Sequence, residues 1–171
     1  MAPTIPSSTR LAQGDPQAFA EFYDGHARTL LAVARAVTGS TADAEDAVQQ
    51  TFVDLYRARV RFAASIDPRA YAIRALHPNA VRARERSRRM ETLHEHGEPV
   101  DRDRRSPDGD ERLAHELQAL TPEHREVIAL KLDGDLTFVE IGVTLGIPPD
   151  TAASRYRRAL EKLRERMGGP R

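Results

Sequence analysis

Apolar residues recur along this chain at three- and four-residue intervals, in blocks set off by caps, glycines and prolines, which is the period of helices that bury one face. The first block opens at Asp15-Pro16, a capping carboxylate followed by proline at the first helical position, and carries Phe19, Phe22, Tyr23, Leu30, Val33, Ala34 and Val37 before Gly39 ends it. Ser40 or Thr41 starts a second helix with the stripe Ala44, Ala47, Val48, Thr51, Phe52, Leu55 and Tyr56. Asp46, Gln49, Gln50 and Val53 fall off that stripe. Asp67-Pro68 opens a third helical stretch that runs into a series of arginines. Pro78 is expected to interrupt or kink it, because proline donates no amide and its ring clashes with the preceding turn.

The second half begins with Leu113, Leu117 and Leu120, and Thr121-Pro122 then restarts a helix with Val127, Ile128 and Leu132 inward, up to the turn at Asp133-Gly134. Thr137 with Glu140 predicts a capping box on a short helix carrying Phe138, Ile141 and Leu145. The turn Gly146-Ile147-Pro148-Pro149 leads into a last helix with Ala152, Tyr156, Leu160 and Leu163 inward. No repeat and no alternating strand pattern intervenes, so the expected fold class is all-α. Between the halves, residues 90–110 have no apolar period, two prolines, two glycines and dense opposite charges, the composition of a flexible acidic linker. A chain of 171 residues then divides into two small helical domains, 13–89 and 111–167, behind a disordered tail at 1–12.

Composition narrows the classes open to such a protein. It is 40% hydrophobic and 30% charged, as expected of a helix-rich globular protein with modest cores. It has no cysteine, which excludes disulfides and thiolate metal sites. The apolar run around Leu30 to Val37 is interrupted by Arg35 and falls far short of the roughly 20 residues that cross a bilayer. The first residues lack the layout of a secretory signal, so no membrane insertion and a cytoplasmic location are expected. His94 and His96 sit one apart, but in the acidic linker, and no metal is assigned to them. No nucleophile with a matched base and no phosphate-cradling loop stands out, so neither catalysis nor a cofactor is expected.

The formal net charge is zero, yet the charges are sorted into blocks. Residues 15–54 hold seven acids against two arginines, a net of −5, and residues 69–89 hold seven arginines against Glu85, a net of +6. Residues 90–111 return to −5, with eight acids and three arginines, and residues 153–171 swing to +5. Such alternation suits one face for an anionic polymer and another for a different partner, although charge runs also simply solvate helices. The segment from Thr137 to Arg166 reads as a helix-turn-helix, whose second helix would present Ser154, Arg155, Arg157, Arg158 and Lys162 to a DNA major groove. A plain helical hairpin with a solvated basic face is the competing reading.

The wording of the motifs adds a family. Leu136-Thr137-Phe138-Val139-Glu140-Ile141-Gly142 and Pro149-Asp150-Thr151-Ala152-Ala153-Ser154-Arg155-Tyr156-Arg157-Arg158-Ala159-Leu160 resemble region 4 of extracytoplasmic-function (ECF) sigma factors of bacterial RNA polymerase. Leu120-Thr121-Pro122-Glu123-His124-Arg125-Glu126-Val127 resembles the helix upstream of it, and Asp43-Ala44-Glu45-Asp46-Ala47-Val48-Gln49-Gln50-Thr51-Phe52 resembles the polymerase-gripping part of region 2. The resemblance covers both domains in the right order. It implies core RNA polymerase and promoter DNA as partners, with an inhibitory anti-sigma factor as a candidate third, and it implies polymerase contacts at Asp46, Gln49, Gln50 and Val53. It further implies that region 2 reads a melted promoter element through Phe62, Tyr71, Arg74, Asn79, Arg82 and Arg86. The chain departs from the family pattern at Leu76-His77-Pro78-Asn79, which inserts a proline and is one residue longer. Two rival functions are a stand-alone helix-turn-helix regulator of duplex DNA and an interaction protein that only sequesters polymerase; copurification with core polymerase separates them.

Overall fold

A computed structural model describes residues 7–93 and 111–167. Among the described residues every regular element is an α-helix: α1 (Ser7–Gln13), α2 (Pro16–Thr38), α3 (Thr41–Arg57), α4 (Arg59–Ala63), α5 (Pro68–Leu93), α6 (Glu111–Gln118), α7 (Pro122–Leu132), α8 (Phe138–Leu145) and α9 (Pro149–Met167). Local chemistry sets most of the boundaries. The Asp15 carboxylate accepts the Gln17 amide ahead of Pro16, and Gly39, at φ 74°, closes α2 by donating its amide to Arg35. Ser40 caps α3 through the Asp43 amide. Thr137 and Glu140 form the reciprocal capping box of α8.

Several elements depart from the sequence pattern. Residues 7–12, expected to be tail, belong to α1: Leu11 is buried, and Arg10 reaches Asp15 at 2.7 Å and Glu21 at 3.0 Å. These tertiary contacts offset the poor prospects of so short a helix. α5 continues through Pro78 without a break. Pro78 and Arg74 both stand on the exposed side of α5, so the Arg74 carbonyl that loses its partner faces water. α5 also extends through residues 90–93, ahead of the acidic segment. The remainder of the expected linker, with His94 and His96, lies outside the described residues. Leu132, expected inward, is 61% exposed, and Leu130 takes the core position instead.

α2, α3 and α5 pack on one another to make the first unit, with Leu30, Val33, Val37, Leu55, Phe62, Ile73 and Leu76 fully buried between them and α4. α7, α8 and α9 make the second around Val127, Leu130, Leu136, Ile141, Ala152 and Ala159. The buried apolar set is continuous from one unit into the other, because α7 packs on α2 as well as on α9.

Candidate nucleic-acid and polymerase interfaces

α8, the turn and α9 have the geometry of a helix-turn-helix. Gly146, at φ 66°, ends α8 by donating to Gly142, and the Ile147 amide bonds the same carbonyl at 2.9 Å. A Cβ on Gly142 would lie 2.7 Å from the Ile147 carbonyl oxygen and 3.3 Å from Pro149 N, so glycine is what lets the turn fold back onto α8. Ala152, Ala159 and Leu163 of α9 point into the unit. On the opposite side Arg157, Arg158 and Lys162 are exposed, while Ser154 and Arg155 are half-buried. Ser154 turns its hydroxyl onto its own helix, donating to Thr151 O at 3.1 Å. His124, at the start of α7, is held below the ordinary histidine range first by burial and then by the nearby positive charges of Lys162, Arg155 and Arg158.

On α3 the residues Asp46, Gln49, Gln50 and Val53 are all exposed along one face, Val53 at 45%. Gln50 is braced by Asp54 at 3.1 Å, and Asp46 meets Arg86 across the surface at 3.3 Å. Beside Gln49 a shallow apolar groove is lined by Phe19, Ala20, Tyr23 and Phe52. Tyr23 stands at its rim, 5.1 Å from Phe52 between ring centroids, and Tyr56 is 48% exposed instead of inward. These two tyrosines extend the polar α3 face in a way the helical pattern, which places both on the buried stripe, does not reveal.

α5 is a three-sided beam. One side faces α3: Asn79 is only 4% exposed, and its amide donates to Thr51 Oγ1 and to Asp54 Oδ2, each at 3.0 Å. Ser87 reaches Asp43 on the same side at 2.7 Å. A second side carries Arg69, Ile73, His77 and Arg84 toward the second unit. The third is outward, where Arg74, Pro78, Arg82, Glu85 and Arg89 are exposed at spacings of three and four residues. Of the residues expected at the melted element, Arg74, Arg82 and Arg86 are therefore at the surface and Tyr71 is half-buried under Arg74, whose guanidinium lies 6.0 Å from the ring centroid. Phe62 and Asn79 are not with them. Phe62 is fully buried in an aromatic cluster with Phe19, Phe22 and Tyr71, and Asn79 holds α3 to α5 while its carbonyl accepts from Arg82.

Among the described residues no group of histidine and carboxylate side chains could hold a metal ion, and no helix is long and apolar enough to cross a membrane.

Two helical units, the second a helix-turn-helix with a basic outer face and the first a bundle carrying an arginine-lined helix, define a DNA-binding protein of the helix-turn-helix class. The sequence families agree with this division: residues 22–90 match sigma-70 region 2, and residues 117–165 match sigma-70 region 4. The chain is 30% identical to the RNA polymerase sigma factor CarQ of Myxococcus xanthus over 93% of its own length and 94% of that protein. It is 33% identical to the ECF RNA polymerase sigma factor SigE of Mycolicibacterium smegmatis over 82% of its length and 58% of that protein. Among solved structures, the sigma factor RpoE from Bartonella quintana, in complex with the anti-sigma factor NepR, superposes with a TM-score of 0.70 at 20% identity, covering 88% of this chain and 99% of that one. The chain belongs to the ECF sigma factors, the subunits that bind core RNA polymerase and direct promoter-specific initiation of transcription.

Proposed function

We propose that the work of initiation is divided among three faces of this molecule. The exposed α3 face, Asp46, Gln49, Gln50 and Val53 with Tyr23 and Tyr56 beside it, docks on core polymerase. The basic face of α9, with Arg157, Arg158 and Lys162 outward and half-buried Arg155 and Ser154 beside them, reads an upstream duplex element through base edges and phosphates. The outward stripe of α5, Arg74 and Arg82 with Arg86 and Tyr71 nearby, holds the melted strand. Buried Asn79 and Phe62 support that stripe from beneath.

The observation that carries this division is the placement of acidic-polar and basic surfaces on different helices, each outward, in a chain of zero net charge. Free protein then gains little from counterion release on DNA, and polymerase is needed to present the basic faces. The factor works in the cytoplasm with the polymerase, has no catalytic step of its own, and is open to control by an anti-sigma partner, as the RpoE complex with NepR illustrates for a relative in fold. A run-off transcription assay with purified core polymerase tests the whole reading. Promoter-dependent transcripts should appear with the wild type, fall sharply for the Gln49→Ala, Gln50→Ala double variant through weaker polymerase affinity, and fall for Arg158→Ala through weaker promoter affinity. Transcription undiminished in the double variant refutes the assignment of α3.

A further inference from the structure

Of the 26 basic residues in this chain only two are lysines, Lys131 and Lys162, and they are placed very differently. Lys131 is half-buried on α7. Its Nζ donates to the Leu136 carbonyl at 3.0 Å and lies 5.5 Å from the centroid of the Phe138 ring, so its ammonium ties the end of α7 to the start of α8. Lys162 is exposed on α9, and its ammonium forms no ion pair or hydrogen bond with any described residue.

Lys162 has cationic company. Arg155, Arg158 and Lys162 follow one another at intervals of three and four residues, which sets them in one row along α9. That row runs beside the start of α7, where His124 is close enough to all three to feel their charges. His124 Nδ1 is buried without a hydrogen-bond partner, and burial, followed by those charges, holds the ring below the ordinary histidine range and so neutral at neutral pH. The carboxylate nearest Arg155 on α7, that of Glu123, is taken up by its own amide and the Thr121 side chain. Neither Glu161 nor Glu165, the acids on the same stretch of α9, pairs with the row. The row is therefore a cationic strip with its anion positions open.

Guanidinium groups grip a phosphate through paired hydrogen bonds whether it belongs to DNA or to a small molecule. Within the strip only the lysine amine is also a nucleophile toward an acyl group. We infer that Lys162 is an acylation site, that its acyl donor is an acyl phosphate held through its phosphate by Arg155 and Arg158, and that acylation weakens promoter binding. The unprotonated Nζ attacks the carbonyl carbon of the donor. A carbon–nitrogen bond forms, the carbon–oxygen bond to the phosphate breaks, inorganic phosphate leaves with the electron pair, and the proton given up by nitrogen passes to water. The product is a neutral amide, so the strip keeps two of its three positive charges. Holding the donor beside the amine raises its local concentration. Lys131 has no such strip, and its amine must first leave the Leu136 carbonyl, a charge-assisted bond whose loss slows attack by roughly tenfold or more.

The acylation stands on these placements; its effect on promoter binding rests on the function proposed above for α9. The full-length protein is treated with acetyl phosphate, freed of reagent and combined with core polymerase. Peptide mass mapping locates the acetyl groups, and titration with labelled promoter DNA measures affinity. Lys162 should be acetylated at least about tenfold faster than Lys131. The preference should shrink in the presence of excess inorganic phosphate, in the Arg155→Ala, Arg158→Ala double variant, and with the uncharged N-hydroxysuccinimide ester of acetic acid as donor. Acetylated protein should bind promoter about eightfold more weakly in about 0.1 M salt, the loss expected for one phosphate left without its cation. Lys162→Gln should show a similar loss without any reagent. Lys162→Arg should bind promoter equally before and after treatment, which excludes the α-amino group and Lys131 as the cause. Lys131 reacting as fast as Lys162 overturns the site, and equal preference with charged and uncharged donors overturns the acyl phosphate. Undiminished promoter affinity of the acetylated protein overturns the switch if Arg158→Ala still weakens binding, and overturns the reading of α9 itself if Arg158→Ala does not.

Discussion

Alanine substituted for Gly142 and for Gly25 should have opposite effects, although both glycines are in α-helices. In a helix interior, alanine is favoured over glycine by about 0.8–1.0 kcal/mol, mostly because the unfolded chain has less freedom to give up. At Gly25, in α2, an added Cβ meets nothing within 4 Å, so Gly25→Ala should keep most of that gain, about 0.5–1 kcal/mol. At Gly142 the Cβ would lie 2.7 Å from the Ile147 carbonyl oxygen, where a relaxed carbon–oxygen contact needs roughly 3.3 Å. The obstacle is backbone, and that backbone is tied to Gly142 itself by the Ile147 amide, so the turn has to shift by about half an ångström. Overpacking of this kind costs about 1–3 kcal/mol, which offsets or exceeds the propensity gain and leaves a net loss of up to about 2 kcal/mol. For a chain of this size the melting temperature should fall, by up to about 8 °C, for Gly142→Ala and rise by about 1–4 °C for Gly25→Ala, followed by far-UV circular dichroism. The displaced turn also re-aims α9, so promoter affinity in the polymerase complex should fall for Gly142→Ala and stay unchanged for Gly25→Ala. Equal stabilisation by both would show that the turn does not press on α8 as described.

Asn79→Ala should cost about 1–3 kcal/mol in urea unfolding, because Thr51 and Asp54 are deprived of a buried donor; impaired promoter opening with stability intact would instead make Asn79 a base reader. Thr137→Ala should cost about 1 kcal/mol by removing the α8 cap, seen as a lowered denaturation midpoint. His26 and His124 are both held below the ordinary histidine value, first by burial, so the unfolded chain binds more protons; their contribution is present above about pH 6.5 and is lost as pH falls below it. Thermal melts between about pH 7.5 and 5.5 should therefore show declining stability, and His26→Gln with His124→Gln should flatten the decline. Arg82→Gln and Arg89→Gln should each reduce the salt dependence of promoter binding by the polymerase complex, by about 0.7–0.9 in the log–log slope for each phosphate left without its cation, whereas Arg84→Gln should leave that slope unchanged.

What is legible in the sequence is what local chemistry decides. Asp15, Ser40, Thr137 with Glu140, Gly39 and Gly146 all cap the helices whose ends they mark, because a cap depends on residues within one turn of it. The same local reasoning explains the errors. Pro78 marks a break in isolation, but a helix held on two sides by α3 and α7 tolerates one missing hydrogen bond on its wet side. α1 is too short and polar to show periodicity, and it exists through Leu11 and the Arg10 ion pairs. Placing Leu132 and Tyr56 inward extends a stripe one position too far, at helix ends where the neighbouring helix no longer covers them. Phe62 as a stacking platform rests on resemblance, and an aromatic residue carries no mark of whether its ring lines a groove or a core; here Phe22 meets it edge-on, with ring centroids 5.0 Å apart.

The arginine block from 69 to 89 shows why charge alone could not assign the surfaces of α5. With seven arginines on one helix, the sequence suggests a single cationic rod. Three-dimensional packing instead distributes them by helical angle: Arg69 and Arg84 are spent on the second unit, Arg86 on Asp46, and Arg74, Arg82, Arg88 and Arg89 remain exposed, with Pro78 on the same stripe as Arg74, Arg82 and Arg89. Proline on that stripe removes an amide only where water can serve the orphaned carbonyl, so it costs the bundle little and leaves both packed sides intact. Asn79, the next residue, faces inward and uses its amide to tie α5 to Thr51 and Asp54 of α3, the helix whose outer face is proposed to meet polymerase. One packed seam thus joins the proposed polymerase-docking helix to the helix proposed to present arginines to DNA. That seam leaves little freedom for α3 to move without carrying the outward stripe of α5 with it.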